Sequence, residues 1–297
     1  MICPPRLAAL VLGACAVCGP ALAQQGPGVL PGASAKTPVE IDAASLKWND
    51  VERMASYDGD VVVTQGETTL HAARLRIYLL KEQAKANAAA PAGPIGAAGS
   101  ADIRRIEADG PVTVVQKDQI GAGERGEYDK ARDQIVLEGR VVLTQGANVT
   151  AGRRLVYRIA SRDVVVEGGG QRVRSQFVQG QGEGKSKSPA QEQDAIFPGA
   201  GGASGEPIQI AANKLEWFDA TQRAVYSGAV VAVQGEATLR ASRMTIFVVR
   251  DKAKGGAPAP GGGQVQRIVA EGPVTVTQKD QVATGSRAIY AKGATRV

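Results

Sequence analysis

The chain has almost none of the residues that carry out chemistry. It holds one histidine and three cysteines in 297 residues. The cysteines, Cys3, Cys15 and Cys18, all lie near the amino terminus. From residue 19 onward there is no thiol nucleophile, no disulfide and no sulfur ligand for a metal. With His71 as the one imidazole, Ser–His and Cys–His triads and zinc sites are excluded or nearly so. Arg240 stands at the position equivalent to His71 in an internal repeat. An imidazole that can be exchanged for a guanidinium reads as an exposed strand residue, not a base. No apolar run is long enough to cross a bilayer as a helix. No dense Lys/Arg run appears either, so the net charge of +6 reads as a solvated exterior ahead of any attraction to phosphates of lipid or nucleic acid. Gly180 to Ser186 approximates a phosphate-binding loop. Gln179 stands where its first glycine should be, and neither a strand before nor a helix after frames it, so it reads as linker.

The amino terminus has the pattern of an export signal. Arg6 precedes an apolar run from Leu7 to Cys18, and Ala21-Leu22-Ala23 closes it. Residues 1–23 are expected to be a secretory signal peptide cut after Ala23. A rival site, Leu12-Gly13-Ala14-Cys15, would leave Cys15 lipidated. Residues 24–37 are rich in Gly and Pro and read as a flexible lead-in. An exported chain without disulfides suits a bacterial periplasm.

What is present is a passage written twice. Pro38 to Lys81 recurs at Pro207 to Arg250 without a gap. Leu46, Trp48, Tyr57, Gly59, Val61, Gln65 and Gly66 return as Leu215, Trp217, Tyr226, Gly228, Val230, Gln234 and Gly235. Asp109-Gly110-Pro111-Val112 returns as Glu271-Gly272-Pro273-Val274, and Gln116-Lys117-Asp118-Gln119 as Gln278 to Gln281. A repeat of this kind is one packing unit used twice. Tyr57, Val61, Val63 and Gln65 alternate with Ser56, Asp58, Val62 and Thr64, the period of half-buried strands. Gln65-Gly66-Glu67 and Gln145-Gly146-Ala147 read as turns, and Gly110-Pro111 as the start of a strand. The layout expected is a first β-unit at 38–177 with an insert at 83–102, a linker at 178–206, and a second, truncated unit at 207–297 with an insert at 252–264. The inserts, rich in Ala, Gly, Pro and Lys, should be loops; Glu82 to Ala90 could form a short helix.

The remaining polar candidates read blandly. Asp58 and Asp60 become Ser227 and Ala229 in the repeat, which suggests solvent-facing turn residues and not an acid–base pair. Gln116 to Gln119 reads as a solvated turn. Trp48 and Trp217 read as core anchors ahead of stacking platforms. Tyr57, Val61, Val63, Val112, Val114, Ile135, Leu137, Val141, Leu143, Leu155 and Tyr157 alternate onto one side of their strands. They form either an ordinary sandwich core or the lining of a furrow too open to seal. Four phenylalanines in the whole chain, against abundant Val, Ala and Leu, would leave room for acyl chains.

Ile41-x-Ala43-x-x-Leu46-x-Trp48, Ala55-x-Tyr57-x-Gly59-x-Val61-x-Val63-x-Gln65-Gly66, Leu70-x-Ala72-x-x-Leu75 and Ala108-Asp109-Gly110-x-Val112-x-Val114 resemble, in order and spacing, the LptA/OstA family of lipopolysaccharide-transport proteins. The resemblance implies an all-β fold: an open, twisted antiparallel β-jellyroll, here as one full copy and one truncated tandem copy. It implies a non-enzymatic periplasmic carrier that shelters lipid A acyl chains against the residues just named and relays lipopolysaccharide between membranes. It further implies edge-strand addition to inner-membrane-anchored and outer-membrane partners, head-to-tail self-association, and no cofactor, metal or nucleic acid. The alternatives are a structural periplasmic β-repeat protein without lipid cargo and an exported carbohydrate-active enzyme using carboxylates.

Overall fold

The computed structural model describes residues 37–80, 103–178, 206–249 and 264–291. The expected signal peptide at 1–23 with Cys15, the expected lead-in up to residue 36, the expected helix at 82–90, residues 180–186 and most of the three expected inserts and linker lie outside them. The described residues hold sixteen strands and no helix. In chain order these are β1 (Glu40–Asp42), β2 (Ser45–Asn49), β3 (Met54–Gln65), β4 (Thr68–Leu79), β5 (Ile103–Gln116), β6 (Gln119–Asp129), β7 (Gln134–Gln145), β8 (Asn148–Arg158), β9 (Asp163–Glu167), β10 (Val173–Phe177), β11 (Ile208–Ala212), β12 (Lys214–Phe218), β13 (Arg223–Gln234), β14 (Ala237–Val249), β15 (Gln264–Gln278) and β16 (Gln281–Ala291). All pair antiparallel in one continuous sheet.

The long strands bend in the middle, and the sequence says where. In β3, β5, β7, β13 and β15 the register slips by one residue at Asp58/Val61, Asp109/Val112, Glu138/Val141, Ser227/Val230 and Glu271/Val274. Each slip is a β-bulge built on the pattern (Asp/Glu/Ser)-Gly-x-Val. The glycine takes a positive φ every time, from 81° at Gly228 to 97° at Gly272. Bulges bend a strand and sharpen its twist. Here they split each long strand into two half-strands with their apolar sides facing a common core. Gly110-Pro111, expected to start a strand, instead lies in the middle of β5. The bulge also resets the alternation on the partner strand: Leu70 and Ala72 of β4 point inward, then Leu75 and Ile77.

The short strands complete both layers. On one side of the bend β2, β9 and β12 pair with the half-strands of β3, β8 and β13. On the other side β1, β10 and β11 do the same. The sheet does not stop at Phe177. β9 pairs with β12 over Val164–Glu167, and β10 pairs with β11 over all five of its residues. Arg172 clasps this junction by donating from its guanidinium to the carbonyls of Ala211 (2.7 Å) and Ala229.

Two rows explain why the register holds. Inside the bend, a valine faces a small residue across each hairpin: Val61–Ala72, Val112–Gly123, Val141–Gly152, Val230–Ala241 and Val274–Gly285. The concave corner has no room for two large groups. A Cβ on Gly152 would sit 2.6 Å from Val166 Cγ1. Outside the bend, acids and arginines alternate in register along the first half of the sheet, as Asp58, Arg74, Asp109, Arg125, Glu138, Arg154 and Glu167. Arg74 bonds Asp58; Arg125 lies 3.1 Å from Asp109, and Arg154 lies 3.1 Å from Glu138 and 3.6 Å from Glu167. Each exposed pair is worth at most about 1 kcal/mol. Together they penalise a one-residue slip, which would carry every charge into the core. Asp58 is thus a paired strand residue and not the turn residue expected; Asp60 sits in the bulge itself at φ 45°.

Two outcomes test this picture. A Cβ on Gly110, at φ 92°, would meet Ala73 Cβ at 2.6 Å, whereas a Cβ on Gly146, at φ 55°, meets nothing within 4 Å. In urea unfolding Gly110→Ala should cost about 3 kcal/mol and Gly146→Ala about 1 kcal/mol; equal costs would contradict the bulge packing. The hydrogen bond from Arg74 holds the Asp58 carboxyl below its ordinary range. A carboxyl depressed on folding adds stability that is full above its unfolded value, about 3.9, and is lost as pH falls through the folded value. Arg74→Ala should therefore flatten the fall of Tm below about pH 4; an unchanged acid limb would show that the pair contributes nothing.

Candidate lipid-binding interior

The eleven residues expected to line a furrow sit as the alternation requires, on the inner side of the bent sheet. Tyr57, Val61, Val63, Val112, Leu137, Val141 and Leu155 are buried there. Val114, Leu143 and Tyr157 are half-buried and pack against the same core. Ile135 is also half-buried and lies in register between Tyr128 and Tyr157. The backbone pairing that places them is the ladder of hairpins β3/β4, β5/β6 and β7/β8.

The interior is not uniform along its length. From β11 to β15 it is filled. Trp217, Tyr226 and Leu215 are fully buried, with Met244 and Ile210 close to it. Phe177 meets Tyr226 edge-on, with ring centroids 6.5 Å apart. Burial pushes the Tyr226 phenol well above its ordinary range, with the Ser175 hydroxyl pulling the other way. Ser175 in turn shares a 3.0 Å hydrogen bond with Thr150, and both are buried. Trp217 is the core anchor the sequence suggested. Trp48, its counterpart, is half-buried at the sheet's edge with the Arg53 guanidinium 5.5 Å from its ring centroid. The difference is one neighbour, because β9 covers β12 while no described strand covers β2.

From β5 to β8 the interior is built from smaller residues. Three inward positions of β6 are glycine, at Gly121, Gly123 and Gly126, and one of β8 is Gly152. Gly121 lies between Val114 and Leu143, which are only half-buried, whereas Gly123, Gly126 and Gly152 face the buried Val112, Ala108, Leu137 and Val141. Tyr128 and Tyr157 face inward from the other half-strands. Burial is the main cause raising both phenols above their ordinary range, so they remain neutral, apolar-bodied groups at any physiological pH. At Gly121 a small residue between two larger, half-buried neighbours makes a shallow trough in the inner face, while at Gly123, Gly126 and Gly152 neighbouring atoms already fill the space.

Sequence reasoning missed two features. One is the amide row at the hairpin tips. Gln116 and Gln119 are not part of a solvated turn: they share the inward face of Val114 and Gly121, and Gln119 is buried. Only Lys117 and Asp118 form the turn, with Lys117 at φ 52°. The other is the charge ladder, legible as an acid followed sixteen residues later by arginine, at Asp58/Arg74 and Glu138/Arg154 and again at Asp109/Arg125 and Glu271/Arg287. Among the described residues no group of three or more His, Cys, Asp or Glu is placed to hold a metal, and no helix is long and apolar enough to cross a membrane.

Comparison with known proteins places the chain among relatives of one family. The family model described as LptA/(LptD N-terminal domain) LPS transport protein matches residues 40–163 and 209–297. Uncharacterized protein R00383 of Rhizobium meliloti (strain 1021) is 33% identical over 174 residues, covering 58% of this chain and 88% of that protein. A crystal structure of LptH from Pseudomonas aeruginosa, described as the LptA-homologous periplasmic component of the lipopolysaccharide transport device, is similar at 23% identity and a TM-score of 0.33, over 42% of this chain and 78% of that one. The two matched stretches of the family model span well over half of the sequence, and by that match the chain belongs to the LptA/LptD N-terminal domain family of lipopolysaccharide transport proteins.

Proposed function

We propose that this protein is a non-enzymatic periplasmic carrier that shelters the acyl chains of lipopolysaccharide between its two half-strand layers and relays the lipid from inner to outer membrane. The observation that carries the reading is the single apolar core inside the bend, continuous from β3 to β15, with a trough in its inner face at Gly121 between the half-buried Val114 and Leu143. Apolar burial is worth about 0.8 kcal/mol per methylene, so a dozen methylenes give about 10 kcal/mol. A bilayer returns about the same. Such a trough offsets extraction without driving it, and direction must come from an energised partner.

The strand edges support relay by strand addition. β11 and β12 occupy the repeat positions of β1 and β2, and their outer edges are hydrogen-bonded to β10 and β9. Among the described residues the matching edges of β1 and β2 have no partner strand, and neither does the outer edge of β16. In this reading 38–177 and 207–297 are a full and a truncated unit already joined as one segment of conduit. The free ends take inner-membrane-anchored and outer-membrane partners, or a second copy head to tail. The export signal at 1–23 would place the chain in the periplasm.

One observation favours a second reading. The filled interior around Trp217 and Tyr226 suits a structural β-repeat without cargo, at least for the second unit. Photocrosslinking separates the two. With a photoreactive residue at Val61, Val114 or Leu143, labelled lipopolysaccharide should crosslink; at Val62, on the outer face of the same strand as Val61, it should not. Equal labelling of inner and outer positions, or none at any, would contradict the carrier.

A further inference from the structure

The inward amides at the hairpin tips are not all used for folding. Across each of these tips the last inward residue of one strand pairs with the first of the next: Gln65–Thr68, Gln116–Gln119, Gln145–Asn148 and Gln278–Gln281. Where another segment runs alongside, the amide has a structural task. Gln65 Nε2 donates to the Thr37 carbonyl at 3.1 Å, Gln234 Nε2 to the Glu206 carbonyl at 3.5 Å, and Asn148 Oδ1 accepts from the Val178 N–H at 2.9 Å. Gln116 and Gln145 differ. They flank Gln119 in register, and each has a buried Oε1 that accepts no hydrogen bond. A buried amide oxygen left without a donor is unfavourable, and folded proteins rarely leave one so without a reason.

Their surroundings say what would supply the donors. These two amides border the trough, one inward position beyond the half-buried Val114, Gly121 and Leu143. On the other half-strands of β6 and β8 stand the half-buried rings of Tyr128 and Tyr157. No inward residue in this set is charged. Paired amides offer both donors and acceptors, and aromatic rings offer a flat apolar face. A phosphate group calls instead for Arg, Lys or clustered N–H groups. Neutral amides with aromatic rings suit a sugar ring, whose hydroxyl and acylamino groups donate and accept while its C–H face is apolar.

We propose that Gln116 and Gln145, held apart by Gln119 at one end of the ladder β5–β7, form a saccharide-recognising lip that hydrogen-bonds the sugar headgroup of an acylated glycolipid. The proposal rests on the carrier reading and deepens it. The trough takes the tails, and the lip selects a sugar-bearing lipid over a plain phospholipid by uncharged hydrogen bonds.

The test is equilibrium binding by the delipidated protein of three probes: lipopolysaccharide, its dephosphorylated form, and phosphatidic acid with acyl chains of matching length. The wild type should bind the first two within about threefold of each other and phosphatidic acid about tenfold more weakly. Gln116→Met with Gln145→Met keeps side-chain length and removes the amides. It should weaken both sugar-bearing probes about tenfold and leave phosphatidic acid within about twofold. Should that variant melt early, Gln116→Asn with Gln145→Asn retains polarity but loses reach, and should show the same selective loss. Equal losses on all three probes, no loss on any, or a dephosphorylated probe that binds no better than phosphatidic acid would each overturn the lip while leaving the carrier in place. A wild type that binds none of the three would overturn the carrier and the lip together.

Discussion

One residue inserted into every second long strand controls this molecule. The bulge at (Asp/Glu/Ser)-Gly-x-Val can form because glycine accepts a positive φ that a β-branched residue would resist. It bends a strand of twelve to fifteen residues into two halves. Without the bend the sheet would be one long ribbon with an apolar face in water. With it, the same face folds onto itself, and the short strands β1, β2 and β9 to β12 fill in beside whichever half-strand lacks a neighbour. The valine after each bulge and the small residue across from it set how tightly the corner can close.

The same device makes the structure extensible. A bent ladder has no natural last strand, because each hairpin presents to the next the edge it received from the one before. The junction at β9/β12 and β10/β11 shows the ladder continuing across a break of some thirty residues in the chain with its inner and outer faces preserved. The outer charges keep that register, since opposite-charge cross-strand pairs favour it and a slipped pairing would bury ions. One apolar surface runs along the inside of the bend: rings fill it at Trp217 and Tyr226, and on β6 glycines take three of its inward positions.

Much of this was written plainly in the chain. Alternation placed Val61, Val63, Val112, Val114, Val141 and Leu143 on one face, because a strand's period is fixed by backbone geometry and needs no knowledge of partners. The bend was less legible. Gly110-Pro111 looks like the entry to a strand, since proline and glycine usually mark boundaries, and only the register on β4 and β6 shows them mid-strand. The amides at Gln116 and Gln145 were hidden for a related reason. Beside Lys117-Asp118 and Gly146 they look solvated, and their inward direction follows from counting back to Val114 and Leu143. The unequal burial of Trp48 and Trp217, identical in their local setting, could not be read at all. It depends on β9, which the truncated comparison of the two copies leaves out.

The central claim is that hydrocarbon lies sheltered between the two half-strand layers. Native mass spectrometry of the delipidated protein, after incubation with lipopolysaccharide and again with the same lipopolysaccharide stripped of its acyl chains, addresses it most directly. A carrier of this design gains the mass of the intact lipid and does not retain the deacylated saccharide through desolvation. A protein that gains neither, or that holds the deacylated form as firmly as the intact one, would contradict the account.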